Sequence, residues 1–269
     1  MIDILLIFLV SSAFTFYMYR HYNIPSGRSR MNWIESVAKG NYVNPYNTRV
    51  LYSLACYHLC RLSGISVGLM WLILNFIISV LLFTGMYLAT SLIGMLILAF
   101  ICMVTCDGFR LDDEIVTATL FVWILLSHGW VAIILLILLA FTRLDQFLFA
   151  VPVAYLLHNI SIPYWLIPFG VGYWQLMKKR YKTPHIHSWL KPLINNTNKG
   201  NILALILPMW IALVLPFIIW VIVYWGSVQD KMAILCLIPY TLTFFVLGNM
   251  WELGKYLPFW ILILMSLTV

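Results

Sequence analysis

Apolar residues run in long blocks along this chain, and the polar ones gather in short segments between them. Blocks at about 2–19, 64–84, 86–106, 202–226, 231–248 and 250–269 each approach or reach the roughly 20 residues that a helix needs to cross a hydrocarbon core. Stretches such as Ile202 to Val214 and Trp260 to Met265 are apolar on every side. They predict helices, because the strand of a membrane barrel alternates between lumen and lipid.

Shorter apolar pieces lie at 112–126 and 129–142, separated by the polar turn Ser127, His128 and Gly129. They predict a hairpin of two short helices whose outer ends emerge on one side. A second pair, 144–158 and 161–177, is broken at His158, Asn159 and Pro163, and Pro168 with Gly170 weakens its second member enough to make it a re-entrant candidate. The N-terminal run lacks a preceding basic region and a small-residue cleavage site, which predicts a retained first helix.

Residues 20–63 form the first excursion between blocks. From Arg28 to Lys39, Met31, Ile34, Val37 and Ala38 share one face while Arg30, Glu35 and Lys39 fall elsewhere, the pattern of a helix lying on a membrane surface. Asn44 and Pro45 then supply a cap and a first-position proline, after which Val50, Leu51, Leu54 and Leu62 predict the buried face of a further helix. The expected fold is all-α: a polytopic transmembrane bundle of about eight to ten membrane helices, short or re-entrant ones included, with an interfacial amphipathic helix in the first loop. Residues 1–269 read as one integral membrane domain.

Composition sharpens this picture. Hydrophobic residues make up 63% of the chain and charged residues 9%, with a mean hydropathy of +0.96, so lipid is the expected solvent for most side chains and a multi-pass integral membrane location follows. Each charge near the lipid is then expensive, which makes the short roster of charges a roster of candidate functional groups. The net charge of +7 is concentrated in the first loop and in 178–200, with Lys178, Lys179, Arg180 and Lys182. Anionic lipid head groups or a phosphate-bearing substrate explain it better than nucleic acid, for which no motif exists.

If every segment between 64 and 177 crosses, the first loop and 178–200 share the cytoplasmic side; if 161–177 is re-entrant, they are opposed. Cys56 with Cys60, and Cys102 with Cys106, stand one turn apart in apolar sequence and read as packing residues. His185 and His187 lack a third partner, so no metal site is assigned. His58 and His128 read as structural.

Five of the nine acids fall between Asp107 and Asp145, accompanied by Arg110 and Arg143. The predicted hairpin brings Arg110, Asp112 and Asp113 opposite Arg143 and Asp145, on the side that also carries Glu35 and Arg49. Carboxylates in such a group deprotonate a hydroxyl or hold a divalent metal, and arginines bind phosphate through paired charged hydrogen bonds. The competing explanation is that Asp112 and Asp113 favour the positive end of a helix while Arg143 and Asp145 form an interfacial pair.

Two stretches resemble a known superfamily. Ala38-Lys39-Gly40, followed by Asn44-Pro45-Tyr46-Asn47-Thr48-Arg49-Val50-Leu51-Tyr52, resembles a pattern in the first large loop of polytopic GT-C-type glycosyltransferases. Leu111-Asp112-Asp113-Glu114, then Ala140-Phe141-Thr142-Arg143-Leu144-Asp145 leading into Val151-Pro152, resembles a downstream module of the same superfamily. The resemblance spans about residues 28–155. It implies transfer of a sugar from a polyprenyl-phosphate-linked donor, with Arg49, Arg110, Arg143 and Asp145 in substrate binding and an acid as general base. Where the superfamily has a first-loop aspartate, this chain offers only Glu35, so the base falls to Glu35 or to Asp112 and Asp113. No cofactor is required, although Asp112 and Asp113 leave room for a divalent metal.

The expected partners are membrane lipids and the lipid-linked donor. The alternative is a non-catalytic subunit of a membrane complex, docked to other membrane proteins through the same polar face. A transporter fits less well, because no charge interrupts the middle of the long blocks and no inverted repeat is visible.

Overall fold

Short capping signals divide the apolar blocks into helices. The structure, a computed structural model, describes residues 2–22, 34–35, 38, 51–105, 111–158, 166–168, 170–171 and 256–266. Among these residues the architecture is all-helical, with no strand. Its principal elements are α1 (Ile2–Tyr22), α2 (Leu51–Ser63), α3 (Val67–Ala89), α4 (Leu92–Thr105), α5 (Leu111–Leu126), α6 (Gly129–Thr142), α7 (Leu144–His158) and α8 (Leu257–Ser266).

Gly64, at φ +70°, ends α2 in the left-handed conformation that glycine adopts without strain, and its N–H reaches back to Cys60 O at 2.9 Å. Two residues later Ser66 starts α3 by accepting a hydrogen bond from Leu69 N at 3.4 Å. The apolar block expected at 64–84 therefore begins at Val67 and continues to Ala89. Ser91 opens α4 in the same way, accepting from Gly94 N at 3.4 Å, so the block expected at 86–106 starts at Leu92. The predicted hairpin is present as α5 and α6, separated by Ser127 and His128. Arg143 alone separates α6 from α7: it is extended at φ −151°, ψ 100°, its N–H bonds to Leu139 O at 2.7 Å, and its own carbonyl accepts from Phe147 N at 3.0 Å.

α3 is central, packing against α1, α2, α4 and α5. Gly85 permits its approach to α5, since a Cβ there would lie 2.7 Å from Val122 Cγ1. Thr119 Oγ1 donates to Ile78 O at 3.4 Å and Trp123 Nε1 donates to Leu81 O at 3.0 Å, so numbering rises together along the two helices and they run parallel. The α2–α3 pair is antiparallel, with Tyr52 beside Trp71 and Cys56 beside Val67.

Sidedness is the main departure from expectation. In α2 the buried residues are Tyr52, Ser53, Cys56 and Cys60, whereas Leu62, expected inside, is 85% exposed. On α3, Leu69, Ile73, Ile77 and Leu81 form an exposed stripe at four-residue intervals, while Asn75 and Ser79 are buried on the other side. α1 follows suit, with Ile7, Ser11, Phe14, Thr15 and Met18 inside and Ile4, Leu5, Phe8 and Leu9 outside. Apolarity and burial are uncoupled.

Two helices are long and apolar enough to cross a membrane, Ile2–Arg20 with 19 residues and Val67–Ala89 with 23. α4, α5, α6 and α7 are shorter apolar helices, and of the expected 250–269 block only residues 256–266 are described, ten of them as the largely buried α8. Positions 34, 35 and 38 are helical within the predicted 28–39 segment, and Ile34 is fully buried against protein. The blocks at 202–226 and 231–248, the loop 178–200 with His185 and His187, and most of 161–177 lie outside the described residues.

Candidate functional site

Because α5 and α6 form a hairpin, the first turn of α5, the last turn of α6 and the first turn of α7 meet at one end of the molecule; α5, α6 and α7 all pack against one another. That end contains an unusual concentration of buried polar side chains. Arg143 is 0% exposed, Glu114 7%, Gln146 4%, Thr117 1% and Thr142 1%. A charged group inside a fold loses its hydration, so Arg143 and Glu114 each demand compensating interactions, and each is engaged within the protein. Thr142 Oγ1 donates to Leu138 O at 2.9 Å, keeping its hydroxyl in the helix.

The register of α3 on α5 extends the polar end. Asn75 lies about one turn before Ile78, and Glu114 and Ile115 lie about one turn before Thr119, so Asn75 stands near the level of the acid-bearing turn. Asn75 Nδ2 donates to Trp71 O at 2.8 Å and to Tyr52 Oη at 2.9 Å, and Tyr52 Oη donates to Trp71 O at 3.3 Å. This triangle ties the first turn of α2 to α3. Tyr52, Ser53 and Asn75 were not singled out from the sequence. The available signal was a lone asparagine inside a 23-residue apolar helix, a place where a polar group needs a reason.

The predicted site residues divide as follows. Arg143 and the Glu114 turn are brought to one end, as the hairpin requires. Asp112, Asp113 and Asp145 have described helical backbone at that same end. Glu35 is helical, partly buried and engaged in an interaction. Arg49 and Arg110 lie outside the described residues. Arg143, expected to contact a substrate phosphate, is fully buried with partners inside the fold.

At the opposite end of the hairpin, His158 Nε2 lies 2.8 Å from Ile124 O and its ring meets His128 edge-on, with centroids 4.8 Å apart. The two histidines thus join the end of α7 to the turn between α5 and α6. Cys56, Cys60 and Cys102 are free and buried. Burial, reinforced by neighbouring Cys60, pushes the Cys56 thiol up to about 12, which keeps it protonated and unreactive and fits a packing role. No group of three His, Cys, Asp or Glu side chains with metal-binding proximity occurs among the described residues.

Comparison with protein-family models, curated proteins and solved structures gave no match.

Proposed function

We propose that this chain is a polytopic integral membrane glycosyltransferase of GT-C type, transferring a sugar from a polyprenyl-phosphate-linked donor to an acceptor hydroxyl. The observation that carries the reading is the end at which Glu114, Thr117, Thr142, Arg143 and Gln146 are buried together, beside the helix starts that bear Asp112, Asp113 and Asp145. The membrane part of the proposal draws on the inverted surface: Leu69, Ile73, Ile77 and Leu81 outside, Asn75 and Ser79 inside.

In this reading an acid, Asp113 or Asp112 with Glu35 as the first-loop candidate, takes the proton from the acceptor hydroxyl. The acceptor oxygen forms a bond to the anomeric carbon as the bond from that carbon to the phosphate oxygen breaks, inverting the centre. Polyprenyl phosphate leaves with the bonding electrons, and Arg49 and Arg110 balance its charge. Arg143, being buried, holds the acid-bearing turns in place and reaches a phosphate only if that end opens; Asp145 lines the same end. Membrane lipids are the solvent and the source of the donor. A divalent metal at Asp112 and Asp113 would assist the leaving phosphate, and no step requires it.

The test is turnover by the purified full-length protein supplied with radiolabelled decaprenyl-phosphoryl hexoses and a detergent extract of membranes as the source of acceptor hydroxyls. Wild type is expected to release decaprenyl phosphate, and Asp113→Asn to lose about 10²–10⁴-fold of that rate, the contribution of a general base. Arg49→Ala is expected to lose activity as well. Undiminished turnover in both variants would remove the assignment.

One observation favours a second reading, a non-catalytic subunit of a membrane complex. Arg143 is enclosed and engaged within the fold, as a structural residue would be. Absence of turnover, together with co-purification of a stoichiometric membrane-protein partner, would favour that reading.

A further inference from the structure

We infer that Asn75 and Ser53 are specificity-determining residues that recognise a neutral hydroxyl of the ligand; the inference rests on the glycosyltransferase reading. Asn75 is fully buried, and the orientation of its amide is fixed. Trp71 O, which can only accept, lies 2.8 Å from Nδ2, so exchanging the amide oxygen and nitrogen would set two acceptors against each other. Both Nδ2 hydrogens are used, one on Trp71 O and one on Tyr52 Oη. Oδ1 is left as an acceptor with no hydrogen-bond partner.

Ser53 follows Tyr52 on α2, is also fully buried, and its Oγ likewise has no partner. Folded proteins rarely leave such atoms unsatisfied, and two of them on adjoining helices need an explanation. Both helices pack on the elements that form the polar end, and the Tyr52–Asn75 bond sets them at the level of its acid-bearing turn, so the two buried atoms, like Arg143, meet a ligand when that end opens.

The chemistry of the pair differs from that of its neighbours. Glu114 and Arg143 are charged, suited to protons and phosphate. An amide oxygen with no free N–H accepts only from a donor, so it favours a hydroxyl and gives nothing to a phosphate oxygen or an ether. A serine hydroxyl on the adjoining helix donates or accepts. Sites built to pair a ligand hydroxyl discriminate strongly against ligands lacking it, because the protein group is then left buried and unpaired. Asn75 and Ser53 thus distinguish a donor carrying its sugar from the same lipid after the sugar has gone.

The experiment measures binding to the full-length protein in a zwitterionic detergent free of sugar groups, using decaprenyl phosphate and decaprenyl-phosphoryl glucose, mannose and galactose as probes. Wild type is expected to bind at least one of the three sugar-bearing lipids about tenfold more tightly than decaprenyl phosphate, the effect of one to two added hydrogen bonds. Ser53→Ala, a small change away from the Tyr52–Asn75 bond, and Asn75→Leu should each cut that preference to about twofold or less. If both variants keep the preference, the two atoms hold internal water and the inference is overturned. It is also overturned if wild type binds decaprenyl phosphate but gains nothing from any of the three sugars. If decaprenyl phosphate itself does not bind, the glycosyltransferase reading fails and the inference falls with it.

Discussion

Arg143 combines two demands that seldom meet in one residue: it is among the largest fully buried side chains, and it is the sole connector between two helices. Its guanidinium cannot lose its proton, so its charge has to be balanced inside the fold. Replacing it with leucine removes the cation from an end that also buries Glu114. Arg143→Leu is expected to destabilise the protein by about 3–5 kcal/mol, the range for breaking a buried ion pair, and Arg143→Lys to recover only part of it because the planar fork is lost. Thermal unfolding of purified protein in detergent checks both. The sequence made Arg143 conspicuous because it stands between apolar runs. It did not make Tyr52, Ser53 or Asn75 conspicuous, since their significance lies in which atoms are paired and which are not, and pairing depends on the register of α2 against α3.

At the scale of the element, the joints were more legible than the faces. Ser127-His128-Gly129 and Arg143 are polar interruptions of apolar sequence, and α5, α6 and α7 begin and end at them. The buried face of α2 was not legible. Leu62 points outward and Ser53 inward, and the proposed membrane location would explain it: a bundle whose surroundings are as apolar as its interior gains nothing from turning its leucines inside. Close approach is the stricter constraint there. Gly85→Val sets new atoms against Val122 and Trp123 and is expected to cost about 1–3 kcal/mol through overpacking of α3 on α5. Gly68→Ala, where a Cβ would meet nothing within 4 Å, should be neutral or slightly stabilising. Comparing the two melting temperatures separates a packing role from helix propensity.

For the whole molecule, the distribution of surface bears on the solvent. α1, α3 and α4 carry many exposed apolar side chains, and the proposal of a membrane protein accounts for them. Expressed in cells, the full chain is expected to stay with the membrane fraction through alkaline carbonate and to be released by detergent; release by carbonate alone would rule out an integral location. Of the charges legible in the sequence as candidates, Asp112, Asp113, Arg143 and Asp145 fall at one end of the described helices, and what sequence could not supply was the neutral polar neighbourhood around them. The joint at Arg143 bears on how such an end would admit a ligand. With the one extended residue between them bonded back to Leu139 O and forward to Phe147 N, α6 and α7 have little slack at this joint. A gate into this end would then pivot on the other side, where the side chains of Tyr52, Asn75 and Cys56 clasp α2 to α3.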